Sequence, residues 1–164
     1  MKWLIASLVA VALQTPGCGG DDDPARATPE IPGGADPAAV AVIDDWAKAL
    51  TEGDIDGAAN HFAIPSVVQN AGPAIEIADA DDARSFTASL PCGAKLIEAR
   101  PQAEFVIATF RLTERPGSGT CGSGVGHRAS TAFEIGPDGK ITQWRRVVTE
   151  GEGPGGPSAP STSA

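Results

Sequence analysis

Apolar positions follow a helical period in the first half of the chain's middle section and a period of two in the second. From Asp36-Pro37 onward, Val40, Ile43, Ala47 and Leu50 recur at helical spacing with Trp46 beside them, while Asp44, Asp45 and Lys48 fall on the other side. This predicts an amphipathic helix with Asp36 as N-cap and Pro37 at its first position, where proline's missing N–H costs nothing. Gly53 ends it. Asp54 then caps a second, short helix through DIDGAANHF that carries the chain to Pro65, with Ile55, Ala58, Ala59 and Phe62 on its buried side. SVVQN and AIEIA are short extended stretches, after which Asp79 or Asp81 caps a third helix with Ala83, Phe86 and Leu90 on one face until Pro91 stops it.

Beyond Cys92 the alternation takes over in AKLIEAR, AEFVIATFRLTE, VGHRASTAFEI and KITQWRRVV, separated by Arg100-Pro101, a glycine loop and Gly136-Pro137-Asp138-Gly139. Helices first and then a meander of about four long antiparallel strands define an α+β fold in which the helices cover one sheet face. In AEFVIATFRLTE, Val106, Ala108, Phe110 and Leu112 make one face wholly apolar, and Phe105, Ile107, Thr109 and Arg111 make the other. A strand apolar on both faces must be covered on both, so a homodimer through the sheet's outer face is an expectation. Arg111 then points toward the partner copy if the all-apolar face packs on helices. If that face meets the dimer instead, Arg111 enters the interior as an anion-binding group.

The glycine loop RPGSGTCGSGVG contains GxGxxG as Gly117, Gly119 and Gly122. A phosphate-binding loop of this type needs a helix directly after it, so that backbone N–H groups and the helix N-terminus point at the anion. The segment that follows alternates as a strand, so the glycines are expected to supply a long hairpin loop, and no nucleotide cofactor is expected.

Residues 1–17 have the form of a secretory leader: Lys2, the apolar run Trp3 to Leu13, and Thr15-Pro16-Gly17 before Cys18. A run of eleven residues is too short to span a bilayer. Gly17 before the cysteine and GGDDD after it resemble the bacterial lipoprotein signal, which implies lipid on Cys18 and an extracytoplasmic, membrane-anchored protein. Thr15, where that signal usually has an aliphatic residue, keeps plain secretion as the alternative. With Cys18 so used, Cys92 and Cys121 remain as a pair for a disulfide in an oxidising compartment, two buried free thiols being the alternative. Their spacing is poor for zinc, and no metal is expected. Residues 18–35 are a Pro-, Gly- and Asp-rich linker, residues 36–150 the domain, and residues 151–164 a tail of similar composition. The formal charge of −9 argues against a nucleic-acid partner. It is also lopsided: residues 36–82 hold ten acids and one base, residues 83–150 nine bases and six acids.

Residues 37–149 resemble the nuclear transport factor 2-like superfamily in its SnoaL-like branch, through AVIDDWAKALTEGDIDGAANHFA at the start and DGKITQWRRV at the end. The resemblance implies a cone, a strongly curved sheet wrapped around three N-terminal helices with a pocket between them, often in a homodimer. The family includes isomerases, cyclases, hydrolases and many non-catalytic binding domains. There is no tyrosine for an isomerase-like oxyanion site, and no aspartate lies within the strands for an epoxide hydrolase-like relay. Fold alone does not fix function.

His127 shares its strand face with Thr131 and Phe133 and is the one candidate acid or base; a partly solvated histidine near a loop is the alternative. With Arg111, Thr131, Phe133, Phe62 and Trp46 it makes up the candidate pocket set. His61 fits capping or packing near a helix end, Asp54 and Asp56 fit a helix start, and Trp144 fits core or interface. The expected function is a lipid-anchored, non-catalytic domain binding a small, moderately apolar ligand or a partner protein, with a SnoaL-like pocket enzyme using His127 as the alternative. A cone filled by Phe62, Phe86, Phe105 and Phe133 would instead leave no cavity.

Overall fold

The computed structural model describes residues 34–117 and 119–148; the leader, Cys18, most of the linker and the tail lie outside them. The helices are α1 (Pro37–Glu52), α2 (Ile55–Ala59) and α3 (Ala80–Ser89). The strands are β1 (Phe62–Gln69), β2 (Ile75–Ile77), β3 (Gly93–Gln102), β4 (Phe105–Thr113), β5 (Arg128–Ile135) and β6 (Ile141–Val147). Among the described residues no helix is long and apolar enough to cross a membrane.

Each helix begins on an acid whose side chain accepts the first orphan N–H groups: Asp36 from Ala38, Asp54 from Gly57, and Asp79 from Asp81 and Asp82. α1 stops at Gly53, which adopts left-handed φ 78°. Its inward stripe, Val40, Ile43, Trp46, Ala47 and Leu50, is buried as the helical period requires.

The sheet has six strands in the order β2-β1-β6-β5-β4-β3. The four long antiparallel strands expected from alternation are β3 to β6 with their edges, and the two short extended stretches extend the sheet as β1 and β2. One pairing departs from the antiparallel expectation, because β1 runs parallel to β6. The second helix is also shorter than its apolar spacing suggested. It ends at Ala59, and Phe62 opens β1 instead of closing the helix, since pairing with β6 outweighs the local helical pattern. Pro65 therefore lies inside β1, at the register shift between Phe62 and Val67, where a residue without an N–H is tolerated.

Further register shifts lie between Leu96 and Glu98 on β3 and between Glu134 and Ile135 on β5. Such bulges sharpen local twist, which helps bend the sheet around α1. Thr51 near the end of α1 joins the first residues of β3, accepting from the Ala94 N–H at 2.9 Å and donating to the Ala94 carbonyl at 3.1 Å. Gly93 permits this approach, because a Cβ there would stand 3.0 Å from the Thr51 backbone.

Aromatic rings hold the core together. Phe62 packs edge-on against Phe86, Phe86 against Trp144, and Trp46 against both Phe110 and Phe133 at 6.0 and 5.4 Å between ring centres. Phe105 is not among them; it sits half-buried on the other sheet face beneath the Arg145 guanidinium. Ile107 is buried within the single chain, with Arg100 and Ala132 as its cross-strand neighbours.

Candidate functional site

Where α3 ends, the chain turns across the open end of the sheet and leaves a cavity of about 100 Å³ between that turn and α1. Arg115 holds the turn in place. It is buried, and its guanidinium donates to the carbonyls of Leu90 at 2.9 Å and Ala88 at 3.0 Å, the last acceptors of α3. The Cys92–Cys121 disulfide ties the same turn to the glycine loop, as cysteine parity indicated. Gly117, Gly119 and Gly122 all take positive φ, and the loop passes through one short 3-10 turn into β5.

The cavity wall is mostly hydrocarbon. Trp46 and Leu50 come from α1, Leu90 and Pro91 from the turn, Ala94, Phe110 and Leu112 from β3 and β4, and Ala129 and Trp144 from β5 and β6. Among the described lining residues Thr131 carries the one hydroxyl and Arg146 the one charge. Trp46 and Trp144 each bury an indole N–H with no acceptor. A buried donor left unpaired costs about 1–3 kcal/mol.

Of the residues the sequence singled out, the structure brings Trp46 and Thr131 to this wall. Phe133 is core instead, 0% exposed, and Phe62, 4% exposed, lines a separate hollow with Ile64, Ala83, Arg84 and Lys140. His127 is exposed. It precedes the first residue of β5, and its backbone is fixed by an N–H donated to Gly124 and a carbonyl accepting from Leu112. Strand parity carried it inward with Thr131, but the strand begins at Arg128 and the ring lies beyond the last pair.

Arg111 is exposed on the convex face, in one cross-strand row with Lys95 and Arg128. Its position matches the alternative in which the all-apolar face packs on helices. His61 is half-buried after α2, and burial lowers its pKa from the ordinary histidine value, with Asp45 opposing and Lys140 reinforcing the shift. Among the described residues no group of three His, Cys, Asp or Glu side chains could hold a metal ion.

Sequence reasoning passed over Arg146, whose signal was available. Trp144 faces the core, so the residue two further along the strand faces the same way. Arg146 is opposite Thr131 and reaches the cavity rim, while Arg145 next to it is opposite Ala132 and lies over Phe105 on the other face.

A curved sheet closed on one side by α1 and open at the end where the cavity lies defines an α+β cone. The fold is that of the nuclear transport factor 2-like proteins, SnoaL-like proteins among them. An NTF2-like protein of unknown function from Cytophaga hutchinsonii superposes with a TM-score of 0.51 at 10% identity, over 66% of this chain and 88% of that one. A SnoaL-like protein of unknown function from Burkholderia thailandensis does so with 0.50 at 17% identity, over 69% and 96%. A putative polyketide cyclase from Sinorhizobium meliloti gives 0.48 at 18% identity, over 65% and 94%. No family model and no curated protein matches the sequence. At these identities the likeness is one of fold.

Proposed function

We propose that this chain is an extracytoplasmic binding domain, tethered through lipid on Cys18, that holds a small, moderately apolar molecule in the open end of its cone without transforming it. The observation that carries the reading is the composition of the cavity wall. Among the described residues it holds aromatic and aliphatic side chains, one hydroxyl and one guanidinium, with no carboxylate or imidazole. Proton transfer requires a group that titrates near the working pH within hydrogen-bond reach of the substrate, and a guanidinium is not a group of that kind. His127, the candidate base of the enzymatic alternative, stands outside the wall. An apolar concavity with few polar groups is the usual form of a small-molecule site, and its size sets the class of occupant. An engineered apolar cavity of about 150 Å³ takes up benzene, so one small ring or a short chain is the scale here, with the remainder of the ligand at the rim.

The test is native mass spectrometry of the full chain produced by secretion in a bacterium and never unfolded. A retained small-molecule mass is the expected result. A bare protein mass from several hosts, together with no uptake of small aromatic compounds at millimolar concentration, would overturn the binding reading. The tether is tested separately, by an acyl increment on Cys18 in the intact mass of protein extracted from membranes.

A further inference from the structure

We infer that the cavity selects a monocarboxylate with a small apolar body, the carboxylate being read by Arg146; this rests on the binding reading above and names its ligand class. Two observations combine. First, β6 places Arg146, an exposed residue, on the concave face by register with Thr131, at the rim of a wall that is mostly hydrocarbon. Second, Arg146 has no acidic partner among the described residues, whereas the described ion pairs, Lys48 with Asp44 and Asp45 and Arg84 with Asp56 and Asp81, all lie on the helices and their ends. An exposed cation at the mouth of an apolar cavity, with no acidic partner among the described residues, suits an anion brought by a ligand. The described wall thus offers one cation and no carboxylate or imidazole, which favours an anionic ligand with an apolar body.

The planar guanidinium can pair with a carboxylate through two parallel N–H···O bonds while the rest of the ligand lies against Leu50, Phe110 and the indole rings. An amide of the same shape carries no charge and presents an NH₂ group where the carboxylate presents a second acceptor oxygen to Arg146. The geometry therefore discriminates between two molecules of nearly equal size.

Isothermal titration of the full secreted chain with phenylacetate and with its neutral isostere phenylacetamide tests this. At low salt the wild type should bind phenylacetate about tenfold more tightly, the scale of one charge-assisted contact at a partly exposed site. Arg146→Gln should bring the two within about twofold, and Arg145→Gln, which alters the adjacent residue on the opposite face, should leave the preference in place. Equal binding of both compounds by the wild type would overturn the carboxylate inference while the apolar-pocket reading stands. A preference that survives Arg146→Gln would remove Arg146 from the role. No binding of either compound at millimolar concentration would overturn both readings together.

Discussion

Ala108 and Ile107 are neighbours on β4 and both are buried, but they are buried by different means. On the concave face Ala108 shares the core with Phe110, which meets Trp46 of α1 and Phe133 of β5 ring against ring. On the convex face Ile107 lies among residues of the sheet itself, between Arg100 and Ala132, with Arg145 spread over the adjacent Phe105. One face is closed by another element, while on the other Arg145 lies over Phe105 and Ile107 is buried between its neighbouring strands. The charges divide the same way. The convex face carries the row Lys95, Arg111 and Arg128, whereas among the described residues the cavity on the concave side meets a single cation, Arg146. Burial alone therefore does not distinguish the two sides of this sheet. What distinguishes them is a mostly hydrocarbon cavity with one exposed cation, Arg146, at its rim and no acidic partner for it among the described residues.

The comparison breaks most readily at its aromatic centre. Phe133→Ala should cost about 3–5 kcal/mol in urea unfolding, because the ring is wholly enclosed between Trp46 and Phe110 and little can move in to fill its place. A loss under about 1 kcal/mol would mean that the concave face is packed no better than the convex one.

A smaller effect belongs to the cavity's rim. The double variant Cys92→Ala with Cys121→Ala should lose about 3 kcal/mol, the chain-entropy value for a loop of this length. Protease nicking should then begin in the glycine loop. An unchanged midpoint would show that Arg115, through its bonds to Ala88 and Leu90, holds the turn unaided.

The smallest effect sharpens the contrast from the convex side. Arg111→Gln should change stability by no more than about 0.5 kcal/mol, and in the stabilising direction, since it removes a like charge directly opposite both Lys95 and Arg128. The midpoint in low and moderate salt checks this, and the gain should shrink as salt screens the row. A clear loss of stability would mean that Arg111 serves to cover the face instead of merely occupying it.

Much of the architecture was legible because local rules governed it. The caps at Asp36, Asp54 and Asp79, the left-handed stop at Gly53 and the alternation from Ala94 to Val147 depend on residues close together in sequence. Cysteine parity pointed to the Cys92–Cys121 bond for a comparable reason, since few pairings were available. The misplaced boundary at Phe62 shows where such rules end. Its spacing from Ala58 and Ala59 fits a helix, but β6, about eighty residues later, supplies a parallel partner and draws Phe62 into the sheet.

The site divides along the same line. Sequence determined that Arg145 and Arg146 lie on opposite faces, because side chains on a strand alternate whatever surrounds it. Only tertiary structure decided which of the two enters the cone. That choice was made at Trp144, whose packing against Trp46 and Phe86 sets the phase of β6 relative to the helices. The same long-range phase, together with a strand that starts at Arg128, keeps His127 in solvent and brings Trp46 and Thr131 to the wall. Alternation is a property of the backbone and can be read along one chain; inside and outside are set by what packs on each face, and here that is a helix about one hundred residues away in sequence.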